Sequence, residues 1–101
     1  MSGIYKIINS YFEEILEVYG YKISKLIKSN IHPSVLYSHK NGIYEIQIGY
    51  NYEESVTFAN MYGKKVSFPQ YNKDDKNLTI KLRLYEYSKI LKAFLQSSPL
   101  L

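Results

Sequence analysis

SVLYSHKNGIYEIQI, residues 34–48, decides the fold: two runs in which apolar and polar side chains alternate flank the pair Asn41-Gly42. Asn-Gly is favoured at the centre of a type I′ turn because both residues accept a positive φ, so the segment predicts a β-hairpin. With these two residues at the turn, Lys40 pairs with Ile43, and the later pairs follow outward. The side chains that then share one face, and that we expect to point into the core, are Val35, Tyr37, His39, Tyr44, Ile46 and Ile48.

The opposite face of the hairpin carries the pairs Leu36–Gln47 and Ser38–Glu45, and we expect it to face away from the core. The chain after the hairpin continues as strands. The pattern predicts a bulge at Gly49, a strand over residues 55–61, a turn at Gly63-Lys64 into a strand over residues 65–68, and a polar loop over residues 69–77.

On each side of this β-region the pattern predicts one helix and one further strand. Residues 3–19 have apolar side chains at three- and four-residue steps, which predicts an amphipathic helix that ends at Gly20 in a left-handed conformation. Residues 21–29 fit a strand or a short helix, and we favour the strand. Residues 78–84 alternate strictly, which predicts a half-buried strand with Lys81 and Arg83 pointing outward, and residues 86–96 predict a second helix.

The order of these elements predicts a single α+β domain over residues 1–101. It would contain an N-terminal helix, four to six mainly antiparallel strands in one sheet, and a C-terminal helix, with both helices on one face. The length of 101 residues suits one domain, and 46% apolar residues is a globular composition. No continuous apolar stretch reaches the length of a signal peptide or a membrane span, so we expect a cytoplasmic protein.

The sequence contains no recognisable catalytic or metal-binding pattern. There is no cysteine, no glycine-rich phosphate loop and no nucleophile motif, and two histidines, His32 and His39, make a poor metal site without a third ligand. We expect His39 to be a partly buried, hydrogen-bonded structural residue. The adjacent carboxylates Glu13/Glu14, Glu53/Glu54 and Asp74/Asp75 are interpreted as solvated. We therefore expect neither an enzyme nor a cofactor.

Two binding functions fit the remaining features. Twelve tyrosines exceed what a small core can hide, and tyrosine is enriched at protein interfaces. A protein-binding surface on a tyrosine-rich sheet face or edge would use Tyr50, Tyr52, Tyr62 and Tyr71. The net charge of +4 supports an alternative, a nucleic-acid-binding surface. That surface would use Lys64, Lys65, Lys81 and Arg83.

In composition the chain is similar to small accessory proteins of phages, viruses and bacterial mobile elements. It is short, rich in tyrosine and lysine, and free of catalytic signatures. The preferred hypothesis is therefore a protein-interaction module that acts stoichiometrically as an inhibitor, an immunity-type protein or a regulator. Its partner would be another protein or, in a homodimer, a second copy of the chain.

Overall fold

A computed structural model describes residue 1, residues 3–62 and residues 79–97. The elements in these ranges are α1 (Gly3–Val18), β1 (Tyr21–Ile27), β2 (Ser34–His39), β3 (Glu45–Asn51), β4 (Val56–Tyr62) and α2 (Ile80–Ser97). The four described strands form one antiparallel sheet in the order β1-β2-β3-β4. The predicted α+β class is confirmed, with a helix at each end of the sheet-forming segment.

The register of the central hairpin is confirmed. Val35 lies opposite Ile48 and Tyr37 opposite Ile46, and all four side chains are buried. The backbone N–H of His39 donates to the carbonyl of Tyr44 (2.8 Å), which extends the pairing to the predicted next position. The alternation of apolar side chains therefore identifies the buried face of both strands.

The turn of this hairpin differs from the predicted type I′ turn. Gly42 has a positive φ (74°) but Asn41 does not, and the N–H of Gly42 donates to the carbonyl of His39 (2.9 Å). The side-chain oxygen of Asn41 accepts the N–H groups of Ile43 and Tyr44. Lys40 does not pair with Ile43, because its N–H donates to the carbonyl of Gly20 (2.9 Å). A contact with another part of the chain thus widens the turn without changing the register.

Both helices pack against the inner face of the sheet, where the buried hairpin residues lie. Helix α1 contacts β1 and β2, helix α2 contacts β4, and the two helices contact each other. The buried apolar cluster draws on both helices and all four strands. Its members are Ile8, Phe12, Leu16, Tyr21, Val35, Tyr37, Ile46, Ile48, Ala59, Leu84, Tyr87, Leu91 and Leu95.

Helix α1 ends as predicted. The N–H of Gly20 donates to the carbonyl of Glu17 (3.0 Å), and Gly20 has a φ of 88°, a left-handed conformation that a residue with a Cβ adopts at a cost. Inside the helix, the buried Asn9 accepts a hydrogen bond from the Tyr37 hydroxyl (2.9 Å). That bond joins α1 to the centre of the sheet.

Strand β1 confirms the preferred interpretation of residues 21–29 and explains its ambiguity. The pairing with β2 shifts between Ile23 and Lys25, where an extra residue, Ser24, forms a bulge. The bulge places Ile23 and Leu26 on the same face, opposite Tyr37 and Val35. Side chains three apart share a face in a helix, so the bulge reproduces a helical spacing within a strand.

The prediction of a strand over residues 78–84 is wrong, because residues 80–84 begin helix α2. Thr79 caps this helix: its hydroxyl accepts the N–H of Leu82 (3.2 Å) and its carbonyl accepts that of Arg83 (3.0 Å). The face that packs inward follows the helical period and includes Ile80, Leu84, Tyr87, Leu91 and Leu95. Leu82, which the alternation assigns to the core, is 46% exposed.

The predicted bulge at Gly49 is also wrong, since β3 pairs with β4 without a shift from Glu45 to Asn51. A Cβ on Gly49 would overlap the ring of Phe58 and lie 2.6 Å from the carbonyl oxygen of Pro33. Glycine is needed here for the close approach of a ring and a backbone carbonyl. The predicted turn at Gly63-Lys64, the strand over residues 65–68 and the loop over residues 69–77 lie outside the described residues.

We expect Gly49→Ala to lower the free energy of unfolding by about 1–3 kcal/mol, the usual cost of overpacking. The Phe58 ring can move aside, but the Pro33 carbonyl belongs to the backbone and cannot. Gly42→Ala is the matched control, because the space around it is open and only its positive φ opposes the substitution. Its cost should be about 1 kcal/mol. Urea unfolding measures both, and equal costs would contradict the steric role of Gly49.

We also expect the protein to lose stability at alkaline pH. Burial, with a smaller contribution from Tyr44, raises the pKa of Tyr21 to about 12, and burial raises the pKa of Tyr37 and Tyr87 above the ordinary value. The folded state therefore holds these protons more tightly than the unfolded state, whose tyrosine pKa is about 10. Their contribution is complete below pH of about 10 and decreases as the pH rises toward the folded pKa values. The urea midpoint measured against pH should fall in this range, and less steeply in Tyr21→Phe.

Candidate functional site

The face of the sheet opposite the helices is a continuous surface to which all four described strands contribute. Cross-strand partners point to the same side, so the register gives this face three rows of side chains that cross all four strands. The rows are Ile27, Ser34, Gly49 and Phe58; then Lys25, Leu36, Gln47 and Asn60; then Lys22, Ser38, Glu45 and Tyr62. We call these twelve residues the outer face.

A chain of hydrogen bonds links three polar side chains of the outer face, those of Tyr62, Gln47 and Ser34. The Tyr62 hydroxyl donates to Gln47 Oε1 (2.7 Å), and Gln47 Nε2 donates to Ser34 Oγ (2.7 Å). Beside this chain, the Ser38 hydroxyl donates to Glu45 Oε2 (3.3 Å). Side chains that are already ordered lose less conformational entropy when a partner binds. The outer face is thus ordered by side-chain hydrogen bonds across three neighbouring strands.

An open groove of about 430 Å³ lies at the end of the outer face where Phe58 covers Gly49. The ring of His32 meets that of Phe58 edge-on, with the two centroids 6.5 Å apart. The groove is lined by Ile27, Ser29, His32, Gln47, Asn51, Glu54, Val56 and Phe58. Apolar side chains therefore lie beside hydrogen-bonding groups, a combination that suits side chains of a protein partner.

The four tyrosines predicted to bind a protein are not one surface. Tyr62 lies on the outer face and is 46% exposed, whereas Tyr50 is only 4% exposed and belongs to the inner face. Tyr52 is exposed in the turn between β3 and β4, and its ring meets that of Tyr50 edge-on (5.2 Å). Tyr71 lies outside the described residues. The prediction for Tyr50 is wrong because the strand continues through Gly49 without a bulge.

The predicted nucleic-acid surface is also not assembled in the part of the chain that the structure describes. Arg83 is 2% exposed, because it lies in a helix rather than on the outer row of a strand. Lys81 is exposed on the same helix, which packs on the inner side of the sheet. Lys64 and Lys65 lie outside the described residues. The outward orientation predicted for Arg83 is therefore wrong.

The two histidines lie in different environments. His39 is buried, its Nδ1 accepts the N–H of Asn41 (3.0 Å), and its ring lies between those of Tyr21 and Tyr44. The sequence predicts a partly buried, hydrogen-bonded histidine: the hydrogen bond is confirmed, and the burial is more complete than predicted. His32 is exposed beside the groove. Within residues 3–62 and 79–97, no three histidine, aspartate or glutamate side chains are close enough to hold a metal ion.

The carboxylates that the sequence singles out are exposed where the structure describes them, at Glu13, Glu14, Glu53 and Glu54. Glu53 and Glu54 are exposed, and their backbone N–H groups donate to the side chain of Asn51. Glu13 accepts a hydrogen bond from Asn9 (3.1 Å) and, with Glu17, lines a smaller cleft of about 180 Å³ between α1 and β1. Asp74 and Asp75 lie outside the described residues.

Several residues of the outer face were not singled out as binding residues by the sequence. Leu36, Gln47 and Glu45 were correctly assigned to the face away from the core, but one leucine among polar residues gave no reason to separate this face from that of any solvated strand. Asn60 and Phe58 could not be assigned before the pairing of β4 was known. The sequence feature that could have identified the outer face was the side of the predicted hairpin that points away from the core, rather than the tyrosines.

We expect the Tyr62–Gln47–Ser34 chain to contribute unequally to stability. Gln47→Leu should lower the free energy of unfolding by about 1–3 kcal/mol, because it removes the partner of a fully buried hydroxyl, that of Ser34. Tyr62→Phe removes only an exposed hydrogen bond and should cost less than about 1 kcal/mol. Chemical denaturation compares the two variants, and a larger loss in Tyr62→Phe would contradict this order.

Comparison with known proteins adds no information about function. No family model matches the chain, and neither the curated proteins nor the solved structures contain a match. In the described residues, neither helix is both long enough and apolar enough to span a membrane.

Proposed function

We propose that this chain is a small, non-catalytic protein-interaction module that binds another protein through its outer face. It would act stoichiometrically, as an inhibitor, an immunity-type protein or a regulatory accessory protein, and we expect it to do so in the cytoplasm. The observation that carries the proposal is the hydrogen-bonded order of the outer face, in which exposed Tyr62 is tied to Gln47 and Ser34.

The chemistry of the outer face supports a protein partner. Hydrogen bonds link Tyr62, Gln47 and Ser34, and Ser38 with Glu45. Half-buried Leu36 and Phe58 supply apolar area beside them. Tyrosine combines a large apolar ring with a hydrogen-bonding hydroxyl, which is why it is frequent in interface hot spots. Order, apolar area and an exposed aromatic residue together are the properties of a preformed protein-binding surface.

The nucleic-acid alternative has less support. Its predicted residues do not share a surface in the described chain, since Arg83 is buried in α2. The outer face does carry Lys22 and Lys25, but Glu45 lies in the row of Lys22 and would repel a phosphate backbone. Tyr62, which could stack on a base, is held by its hydrogen bond to Gln47.

Asn60→Arg tests the proposed function. Asn60 is exposed in the middle row of the outer face, so arginine there should obstruct a protein partner without affecting the core. Tagged wild type and variant are used to capture proteins from the cells that produce this chain. We expect a protein bound by the wild type to be reduced about tenfold or more on Asn60→Arg.

The control is Ala93→Arg, which adds the same side chain to an exposed position of α2. Capture by this control should equal that of the wild type, and equal losses in both variants would contradict a role for the outer face. Gel-shift assays at low salt test the nucleic-acid alternative, because the positive charge added by Asn60→Arg should strengthen nucleic-acid binding. A protein partner and a nucleic acid therefore predict opposite effects of Asn60→Arg.

A further inference from the structure

The outer face has an uneven distribution of charge and shape. Its first strand, β1, supplies the cations Lys22 and Lys25, both exposed. The third strand supplies the carboxylate of Glu45, and the fourth supplies the aromatic ring of Tyr62. Positive groups therefore lie at one side of the face, and the groups that attract cations lie toward the other.

A twofold rotation about an axis parallel to the strands matches this face to a copy of itself. In such a face-to-face pair, β1 of one copy lies over β4 of the other, β2 lies over β3, and each row meets the same row. Lys22 then meets Tyr62 of the second copy, with Glu45 one strand away, and Ile27 meets Phe58. Lysine over a tyrosine ring and lysine beside a carboxylate are both favourable.

The other twofold arrangement of facing sheets is unfavourable. An axis perpendicular to the strands places β1 of one copy over β1 of the other and reverses the order of the rows. Lys25, in the middle row, then faces Lys25 of the second copy, and Glu45 has no lysine nearby. Like charges in direct opposition discriminate strongly against an arrangement, so the charge pattern selects the parallel axis.

We propose that the partner of the outer face is a second copy of this chain, bound face to face about a twofold axis parallel to the strands. This inference rests on the proposed function, because it names the partner of the same surface. The interface is isologous and closes after two copies, so it produces a dimer and no larger assembly. A face of four strands and three rows is small, and the dimer is expected to be weak.

Charge reversal on the two sides of the interface tests this arrangement. One variant carries Lys22→Glu with Lys25→Glu, and the other carries Glu45→Lys. Sedimentation of the purified protein, from low micromolar to near millimolar concentration, should give a dimer for the wild type. Each variant alone should dimerise about tenfold more weakly or worse, because carboxylate meets carboxylate or lysine meets lysine.

An equal mixture of the two variants should restore the dimer. Each variant then supplies the charge that the other needs, and both symmetric contacts are attractive again. Lys89→Glu, at an exposed position of helix α2, is the control, and this variant should dimerise like the wild type. Circular dichroism confirms that each variant is folded. A mixture that stays monomeric would overturn the arrangement, as would variants that dimerise normally.

Asn60 provides an independent variant if reversal at Glu45 prevents folding. Asn60 lies opposite Lys25 of the second copy, so Asn60→Glu should tighten the dimer several-fold and Asn60→Arg should weaken it. A change in the same direction for both would contradict the arrangement. A wild type that stays monomeric at every concentration would overturn the proposed dimer without overturning the proposed function. Capture of another protein that is lost on Asn60→Arg would, in that case, still support the proposed function.

Discussion

The pairing of β2 with β3 determines the rest of the structure. Val35 lies opposite Ile48 and Tyr37 opposite Ile46, and these buried pairs form the centre of the inner face. A shift of one residue in either strand would turn every side chain to the other side, so burial of this apolar set fixes the register. The flanking strands inherit their orientation from these two, and both helices cover the face so defined.

The sequence predicted an element correctly where one hydrophobic period dominated. It failed where the spacing of apolar residues fitted a strand and the helix-forming tendency of the residues pointed to a helix. The central hairpin and α1 have a single period each, and both were predicted. Residues 80–84 alternate like a strand, yet leucine, lysine and arginine are strong helix formers, and Thr79 supplies the cap. The turn at Asn41-Gly42 was mistaken because its geometry depends on Gly20, which is distant in the sequence.

The candidate site was harder to predict than the fold, because the exposure of a side chain depends on small irregularities. Tyr50 was predicted as a binding residue on the surface, but β3 pairs with β4 without interruption through this position, and the Tyr50 side chain is buried. Tyr62 lies on the outer face because the pairing of β4 with β3 sets it opposite Glu45, after a turn in which Ser55 has a positive φ of 53°. Serine rarely adopts this conformation, so the sequence gives no sign of it.

The bulge at Ser24 affects how copies of this chain can meet. A strand at the edge of a sheet can recruit strands from other molecules, and a regular edge allows this to continue without limit into a fibril. The bulge interrupts the backbone groups that such growth requires, and Lys22 and Lys25 add mutual repulsion between like edges. The β1 edge is therefore poorly suited to the continuous strand addition from which fibrils grow.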